Sequence, residues 1–275
     1  MVLERLQEGP PAKAQGLQPG RWTLRSLQEH VERLKGYSLG GIWRWLKRAG
    51  VSWRSASLRQ WSPDPDYRSK LGTLCACLQA AGAAPGEIEL IFLDEVGFYR
   101  WPIPANTWAA NPPQPPPRAQ HAGQTNNSQW RIIGGLNART GQVTHRSNYI
   151  VGRKQVVQWY EQLNTTYPQA RKIYVVQDNW SIHSHLDVLD ALRQWPRIEP
   201  VWLPTYSPWL NPIEKLWRKL KVEVLKMHRL AQDWPELKRQ AHLFLDQYLE
   251  GSHELLHYVG LLGEGILARA LAGQL

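Results

Sequence analysis

The sequence predicts an α/β chain, with a mixed sheet and flanking helices behind a small all-helical domain. Three observations carry this expectation. The hydrophobic pattern follows a helical period up to about residue 81 and turns strand-like from Ile88. From there the order reads strand, strand, strand, helix, strand, helix, strand, helix, which suits a layered sheet with helices on its faces. Two of the apolar strands, Ile88–Phe98 and Lys172–Gln177, carry or run into an aspartate, Asp94 and Asp178. The chain has 275 residues, 43% of them hydrophobic and 15 of them Trp, enough for one ordinary domain and a small second one.

The charge is uneven. The formal net charge is +10, and residues 1–60 hold 11 Lys/Arg against 4 Asp/Glu, so +7 of the surplus lies in that stretch. A basic end on a more neutral body suits a polyanionic partner, nucleic acid first and anionic membrane second. The only cysteines, Cys75 and Cys77, sit in an Ala- and Leu-rich helical stretch. They form neither a disulfide framework nor a four-ligand zinc site. No stretch resembles a signal peptide or a bilayer-spanning run, so a reducing, cytoplasmic setting is expected.

Residues 1–20 are rich in Pro, Gly and Gln and read as a loose lead-in. Leu24, Leu27, Val31 and Leu34 then share one helical face, and Gly36 ends that helix. Ser38 is placed to cap a second helix whose expected buried face holds Leu39, Ile42, Trp43 and Leu46. Its outer face carries Arg44, Lys47 and Arg48, and Arg54 follows. Two short helices around a Gly turn, the second one basic, follow helix-turn-helix logic. A helical hairpin with a solvated basic face would look the same. Two prolines at 63 and 65 make a hinge, and a helix runs from Tyr67 to about Ala81. The Pro-rich stretch 102–117 is a loop.

Asp94 directly follows Ile-Phe-Leu, and Asp178 follows Ile-Tyr-Val-Val-Gln. Strand alternation points Glu95 away from Asp94. Two acids at strand ends would meet at one sheet edge, where open sheets bind ligands. Glu214 stands three positions after Asn211, with Pro212 between them. That spacing also fits a capping box, in which Asn211 caps a helix from Pro212 to about Met227 and Glu214 reaches back to it. Three carboxylates suit hard cations such as Mg²⁺ or Mn²⁺. His183 and His185 raise zinc, but no third soft ligand lies near them in sequence. His183 suits a supporting or phosphate-facing place beside Asp178, as Asn179 and Asn211 do beside the acids. Lys215, Arg218 and Lys219 follow Glu214 and suit phosphates, or a solvated helix face.

Three blocks make the sequence recognisable. Phe92-Leu-Asp-Glu-Val-Gly-Phe98, Val176-Gln-Asp-Asn-Trp-Ser-Ile-His183 and Leu203-Pro-Thr-Tyr-Ser-Pro-Trp-Leu-Asn-Pro-Ile-Glu-Lys-Leu-Trp217 resemble the signature blocks of DDE transposases. The likeness is to the bacterial insertion-sequence branch of the mariner superfamily, the insertion-sequence 630 type. The spacing of 36 positions from Asp178 to Glu214 suits that branch. The resemblance covers roughly residues 88–230, and residues 21–60 also resemble the winged helix-turn-helix that precedes such catalytic domains.

The resemblance implies an RNase H-like catalytic domain over 87–230, behind a winged helix-turn-helix at 21–60 and a helical linker at 61–86. C-terminal helices would fill 231–275. It implies that Asp94, Asp178 and Glu214 are catalytic and bind two Mg²⁺ ions, with Mn²⁺ as a substitute. It implies cleavage at transposon ends, then attack of the freed 3′-hydroxyl on target DNA, typically at TA. The expected partners are double-stranded terminal inverted repeats and target DNA, held by a homodimer or larger assembly in the bacterial nucleoid. Relatives usually carry a further helix-turn-helix ahead of the winged one. Only about twenty residues precede it here, as in the second half of a frameshifted element, a truncated copy or a short form. Two other readings stand beside this one: a transposase-derived DNA-binding protein with an unused centre, and an RNase H-like structure-specific nuclease. The three intact acids argue against the former, and the Asn-Pro-Ile-Glu block against the latter.

Overall fold

The computed structural model describes residues 2–8, 10–11, 21–53, 61–107 and 126–274. The chain forms two compact units, one up to residue 59 and the other from residue 60.

The first unit is helical among its described residues. Helix α1 spans Val2–Glu8, α2 Leu24–His30 and α3 Leu39–Arg48, with a 3-10 turn at Glu32–Leu34. Where a loose lead-in was expected, α1 forms, and Val2 joins a core with Leu27, Val31, Leu34, Ile42 and Leu46. Burial of that apolar residue explains why the segment is ordered. Thr23 caps α2 through Ser26, and Ser38 caps α3 by accepting from the Gly41 N–H at 3.1 Å. Only half of the expected buried face of α3 is buried. Ile42 and Leu46 face the core, while Leu39 and Trp43 are exposed. The difference has a helical cause: Leu39 and Trp43 lie one turn apart on a flank of α3. There they line an apolar cleft of about 900 Å³ with Leu24 and Trp53.

The second unit is built on a five-stranded sheet in the order β3-β2-β1-β4-β5. Its strands are β1 (Ile88–Tyr99), β2 (Gln129–Asn137), β3 (Val143–Asn148), β4 (Lys172–Gln177) and β5 (Ile198–Trp202). The three consecutive strands β1 to β3 are antiparallel, whereas β1, β4 and β5 run parallel. The parallel connections need crossovers. They are supplied by α5 (Arg153–Thr166) and α6 (Leu186–Leu192), the latter shorter than the Ser184–Trp195 span expected.

Alternation along β1 sorts its side chains onto two cores. Ile91 and Leu93 join Trp159, Tyr160, Ile173 and Val175 beneath α5. Leu90, Phe92, Val96 and Phe98 face the larger core, covered by α4 (Tyr67–Ala83), α7 (Ile213–Leu220), α8 (Trp234–Asp246), α9 (His253–Val259) and α10 (Ile266–Leu271). Leu74, Leu78 and Ala81 of α4 share that core with Leu267 and Ala270 of α10. The linker helix and the C-terminal helices thus belong to the body of this unit.

The long helix expected from Pro212 to Met227 is interrupted. After Leu220 it widens into a π-helical turn at Lys221–Leu225. The chain then leaves the helix to bridge Ile103, whose N–H donates to the Leu225 carbonyl at 2.9 Å and whose carbonyl accepts from Met227 at 3.0 Å. Pairing with a distant segment takes backbone groups that another helical turn would have used.

Candidate active site

The register between β1 and β4 brings the two aspartates together. These parallel strands pair from Ile88↔Lys172 to Phe92↔Val176. Asp94 and Asp178 each stand two positions beyond that last pair. A side-chain period of two therefore sends both toward the face of Phe92 and Val176. Glu95 turns to the other face, toward Tyr160, whose hydroxyl is raised in pKa by burial first and by Glu95 second.

Glu214 arrives from α7. Asn211 does not cap that helix with its side chain. Pro212 occupies the cap position with no side-chain cap bond, and the Asn211 backbone carbonyl accepts from Glu214 N at 3.2 Å. The Asn211 amide instead donates to the Leu93 carbonyl at 3.0 Å. That carbonyl lies just past the point where β4 stops pairing, so Asn211 fills a gap in the ladder. Glu214 is left exposed, with no capping duty. Asp94, Asp178 and Glu214 all line one cleft of about 450 Å³, with Asn179, Trp180 and Asn211 in its wall.

The three acids differ in setting. Asp178 has 58% of its side chain exposed and accepts from the Trp180 N–H at 3.0 Å. Asp94 is mostly buried, and the indole N–H of Trp217 donates to its Oδ2 at 3.0 Å. Burial, then the nearby charges of Glu214, Glu95 and Asp178, push the Asp94 carboxyl up to about 8. Trp217 lies one helical turn after Glu214, so a single helix brings one acid and holds another. Sequence reading quoted Trp217 in its motif but gave it no task; the three-residue spacing on α7 was the available signal.

His183 is 1% exposed and sits between two acids, its Nε2 3.5 Å from Glu95 Oε1 and 3.7 Å from Asp178 Oδ1. Asn179 donates to the Leu203 carbonyl at 3.0 Å and to Thr205 Oγ1 at 3.3 Å, tying the end of β4 to the loop before α7. His185 caps α6, accepting from the Asp187 N–H at 3.1 Å.

Among the expected cations, Arg44, Lys47 and Arg48 lie exposed on α3, with Lys47 5.6 Å from the Trp43 ring centre. Arg54 falls outside the described residues. Lys215 and Arg218 line a second cleft of about 690 Å³, which shares Asn211 and Glu214 with the first. Lys219 does not join them. It is paired with Glu223 and lies 5.6 Å from the Tyr258 ring centre, because its side of α7 faces α9.

The donors fit hard divalent cations: three carboxylates on one cleft, the most buried of them with its pKa pushed up to about 8 by burial first and by the neighbouring carboxylates second. The carbonyl oxygen of the Asn211 side chain is also buried there without a hydrogen-bond partner. Among the described residues, no three His, Cys, Asp or Glu side chains stand close enough to enclose one ion. Carboxylates that line one cleft could hold divalent ions whose remaining ligands come from water and phosphate oxygens. Among the described residues, no helix is long and apolar enough to cross a membrane.

A family model described as DDE superfamily endonuclease matches residues 89–238, and one described as winged helix-turn-helix matches residues 18–69. The insertion element IS630 uncharacterized 39 kDa protein of Shigella sonnei is 27% identical over 244 residues, which cover 87% of this chain and 69% of that protein. Among solved structures, the mariner Mos1 paired-end complex with Mg is similar with a TM-score of 0.59 and 15% identity, over 99% of this chain and 85% of that one. The Mos1 strand transfer complex gives a TM-score of 0.56 and 17% identity, over 96% of this chain and 81% of that one. At those identities the likeness to Mos1 concerns the fold, an RNase H-like sheet behind helix-turn-helix helices.

Proposed function

The chain belongs to the DDE superfamily endonucleases, and from that premise we propose that it is a transposase of the insertion-element and mariner type, which cuts transposon ends and joins them to target DNA. The observation that carries the reading is the convergence of Asp94, Asp178 and Glu214 on one cleft from two strands and a helix.

Asp94, Asp178 and Glu214 would together hold two Mg²⁺ ions, or Mn²⁺ in their place. Such ions activate an attacking oxygen and stabilise a leaving one in phosphodiester displacement. The chain's own groups set the geometry. Trp217 fixes the Asp94 carboxylate, and Asn211 fixes the backbone of β1 at the preceding residue, Leu93. His183 and Glu95 back Asp178 from the other face. Lys215 and Arg218, in the adjoining cleft, would meet the phosphates of a DNA strand leaving the acids. Arg44, Lys47 and Arg48 on α3 would grip the duplex. In the first reaction, water attacks the terminal phosphodiester and leaves a 3′-hydroxyl. In the second, that hydroxyl attacks a target phosphodiester, at TA, and displaces its 3′ oxygen. A homodimer or larger assembly would hold both ends; the Mos1 transposase forms a paired-end complex with its left transposon end.

Asp178→Ala tests the reading. The variant should lose Mg²⁺-dependent cutting and joining of DNA bearing the terminal repeats that flank its own gene, and should keep wild-type DNA affinity. Residual cutting by the purified variant at the wild-type rate would overturn the assignment.

A further inference from the structure

The loop before α7 holds an aromatic ring out at the lip of the catalytic cleft. Tyr206 is 78% exposed and lines the same cleft as the three acids. Its φ is +53°, one of only two positive values at non-glycine positions among the described residues. A bulky side chain seldom adopts that conformation, because its Cβ crowds the backbone. Such a residue persists only where its surroundings over-determine it.

The surroundings do so here. Pro204 and Pro208 flank the turn. On the preceding residue, the Thr205 N–H donates to Asp64 Oδ2 at 2.7 Å, and the Ser62 hydroxyl donates to the Thr205 carbonyl at 2.5 Å. Asp64 is itself held by Lys70 at 2.8 Å, with only 4% of its side chain exposed. Asn179 reaches Thr205 from the Asp178 side. On the following residue, Ser207 is buried. The backbone is clamped on both sides while the ring between them projects outward. Nothing in the core gains from that ring. Among the described residues, no aromatic ring, hydrogen bond or ion pair engages its side chain.

We propose that Tyr206 is a stacking platform for an unpaired nucleobase next to the phosphate being cut or joined. The chemistry around it favours a base over a phosphate. Tyr206 carries no cation with which to hold a phosphate, whereas its neutral ring offers a π face to any base. Bases in an intact duplex have both faces covered, so the occupant must be unstacked, at a frayed or displaced nucleotide. This rests on the transposase reading and deepens it by assigning a nucleotide-holding residue to the same site.

The test uses the full chain with Ca²⁺ in place of Mg²⁺ to leave the DNA uncut. Two probes are compared: a duplex with an unpaired thymidine 3′ tail, and the same duplex with abasic tetrahydrofuran residues in the tail. Wild-type protein should bind the base-bearing tail about tenfold tighter. Tyr206→Ala should lose that preference without weakening on the abasic probe, and Tyr206→Phe should keep it. Tyr206→Gly should bind like the alanine variant while melting no lower than wild type, since glycine accepts a positive φ. A wild type indifferent to the bases, an alanine variant that still prefers them, or an equal loss on both probes would overturn the proposal. Mg²⁺-dependent cutting of terminal-repeat DNA by wild type is scored alongside. Its absence would sink the transposase reading, which the base preference does not measure.

Discussion

Gly134→Ala is the sharpest perturbation the site offers, because it acts on Asp94 through one intermediary. Gly134 pairs directly across from Asp94 on β2, so both face the same core. The Trp217 ring lies over the glycine, and its N–H holds Asp94 Oδ2 at 3.0 Å. A Cβ on Gly134 would come within 2.7 Å of Trp217 Cη2 and 3.2 Å of Cζ2. Carbon atoms pack at about 3.5–4.0 Å, so the ring must give by roughly 1 Å. Overpacking of that kind costs about 1–3 kcal/mol, offset by up to about 1 kcal/mol because alanine restricts the unfolded chain. The catalytic cost is larger in proportion, since a shift of about 1 Å in a positioned group can cost about a hundredfold in rate. Gly135→Ala is the matched control. Its Cβ would meet Trp159 Cζ2 at 2.4 Å and Ile91 Cγ2 at 2.7 Å, on the opposite face of the sheet. Denaturant melts would give the stability cost of each variant, and strand cleavage under saturating Mg²⁺ the catalytic cost. Gly135→Ala should destabilise at least as much yet cut far better than Gly134→Ala. Equal cutting by the two variants at equal folded fraction would refute the chain from glycine to indole to carboxylate.

Three further outcomes follow from the electrostatics. Asp94 is pushed from 3.8 to about 8, so the folded metal-free protein holds this proton more tightly than the unfolded chain does. That stabilisation is complete below the ordinary carboxylate range and is lost as pH rises toward 8, a loss on the order of a few kcal/mol. Thermal melts in EDTA should fall over that window. Mg²⁺ must displace the proton, so its affinity should rise with pH and level off above about 8; flat affinity from slightly acid to slightly alkaline pH would refute this. On α3, Arg44→Ala and Lys47→Ala should each lower DNA affinity and reduce the slope of log affinity against log salt by about 1. Unchanged slopes in both variants would remove that helix from the DNA interface.

Much of the fold was legible in the chain. The strand β4 falls on the residues its apolar run marked, and Ser38 caps α3 as its position suggested. Two of the misreadings share a cause. Asn211 looks like a helix cap in sequence because an Asn before Pro and Glu fits that pattern, yet its side chain is claimed by the unpaired Leu93 carbonyl 118 positions away. The helix expected to reach Met227 breaks because Ile103, also distant in sequence, takes the backbone of 225–227. Lys219 reads as one more cation beside Glu214, but α9 turns it toward Glu223 and Tyr258. For Asn211 and for the helix after Glu214 a long-range partner outcompetes the local pattern, which is all that periodicity can read; Lys219 is taken by a local partner, Glu223, as well as by distant Tyr258.

The sequence by itself determined the chemistry available: two acids on apolar strands, a third in a Pro-stiffened block, and a basic helix pair ahead of them. Those are matters of residue type and short-range spacing, which the chain carries whatever its fold. Only the tertiary structure decided that Asp94 and Asp178 share a face, because that depends on the parallel register of β1 and β4. It also decided that Glu214 is free of capping duty, that Trp217 grips Asp94, and that Tyr206 is held out over the cleft. Each depends on hydrogen bonds between segments far apart in sequence, and those exist only once the sheet and its helices have closed on one another.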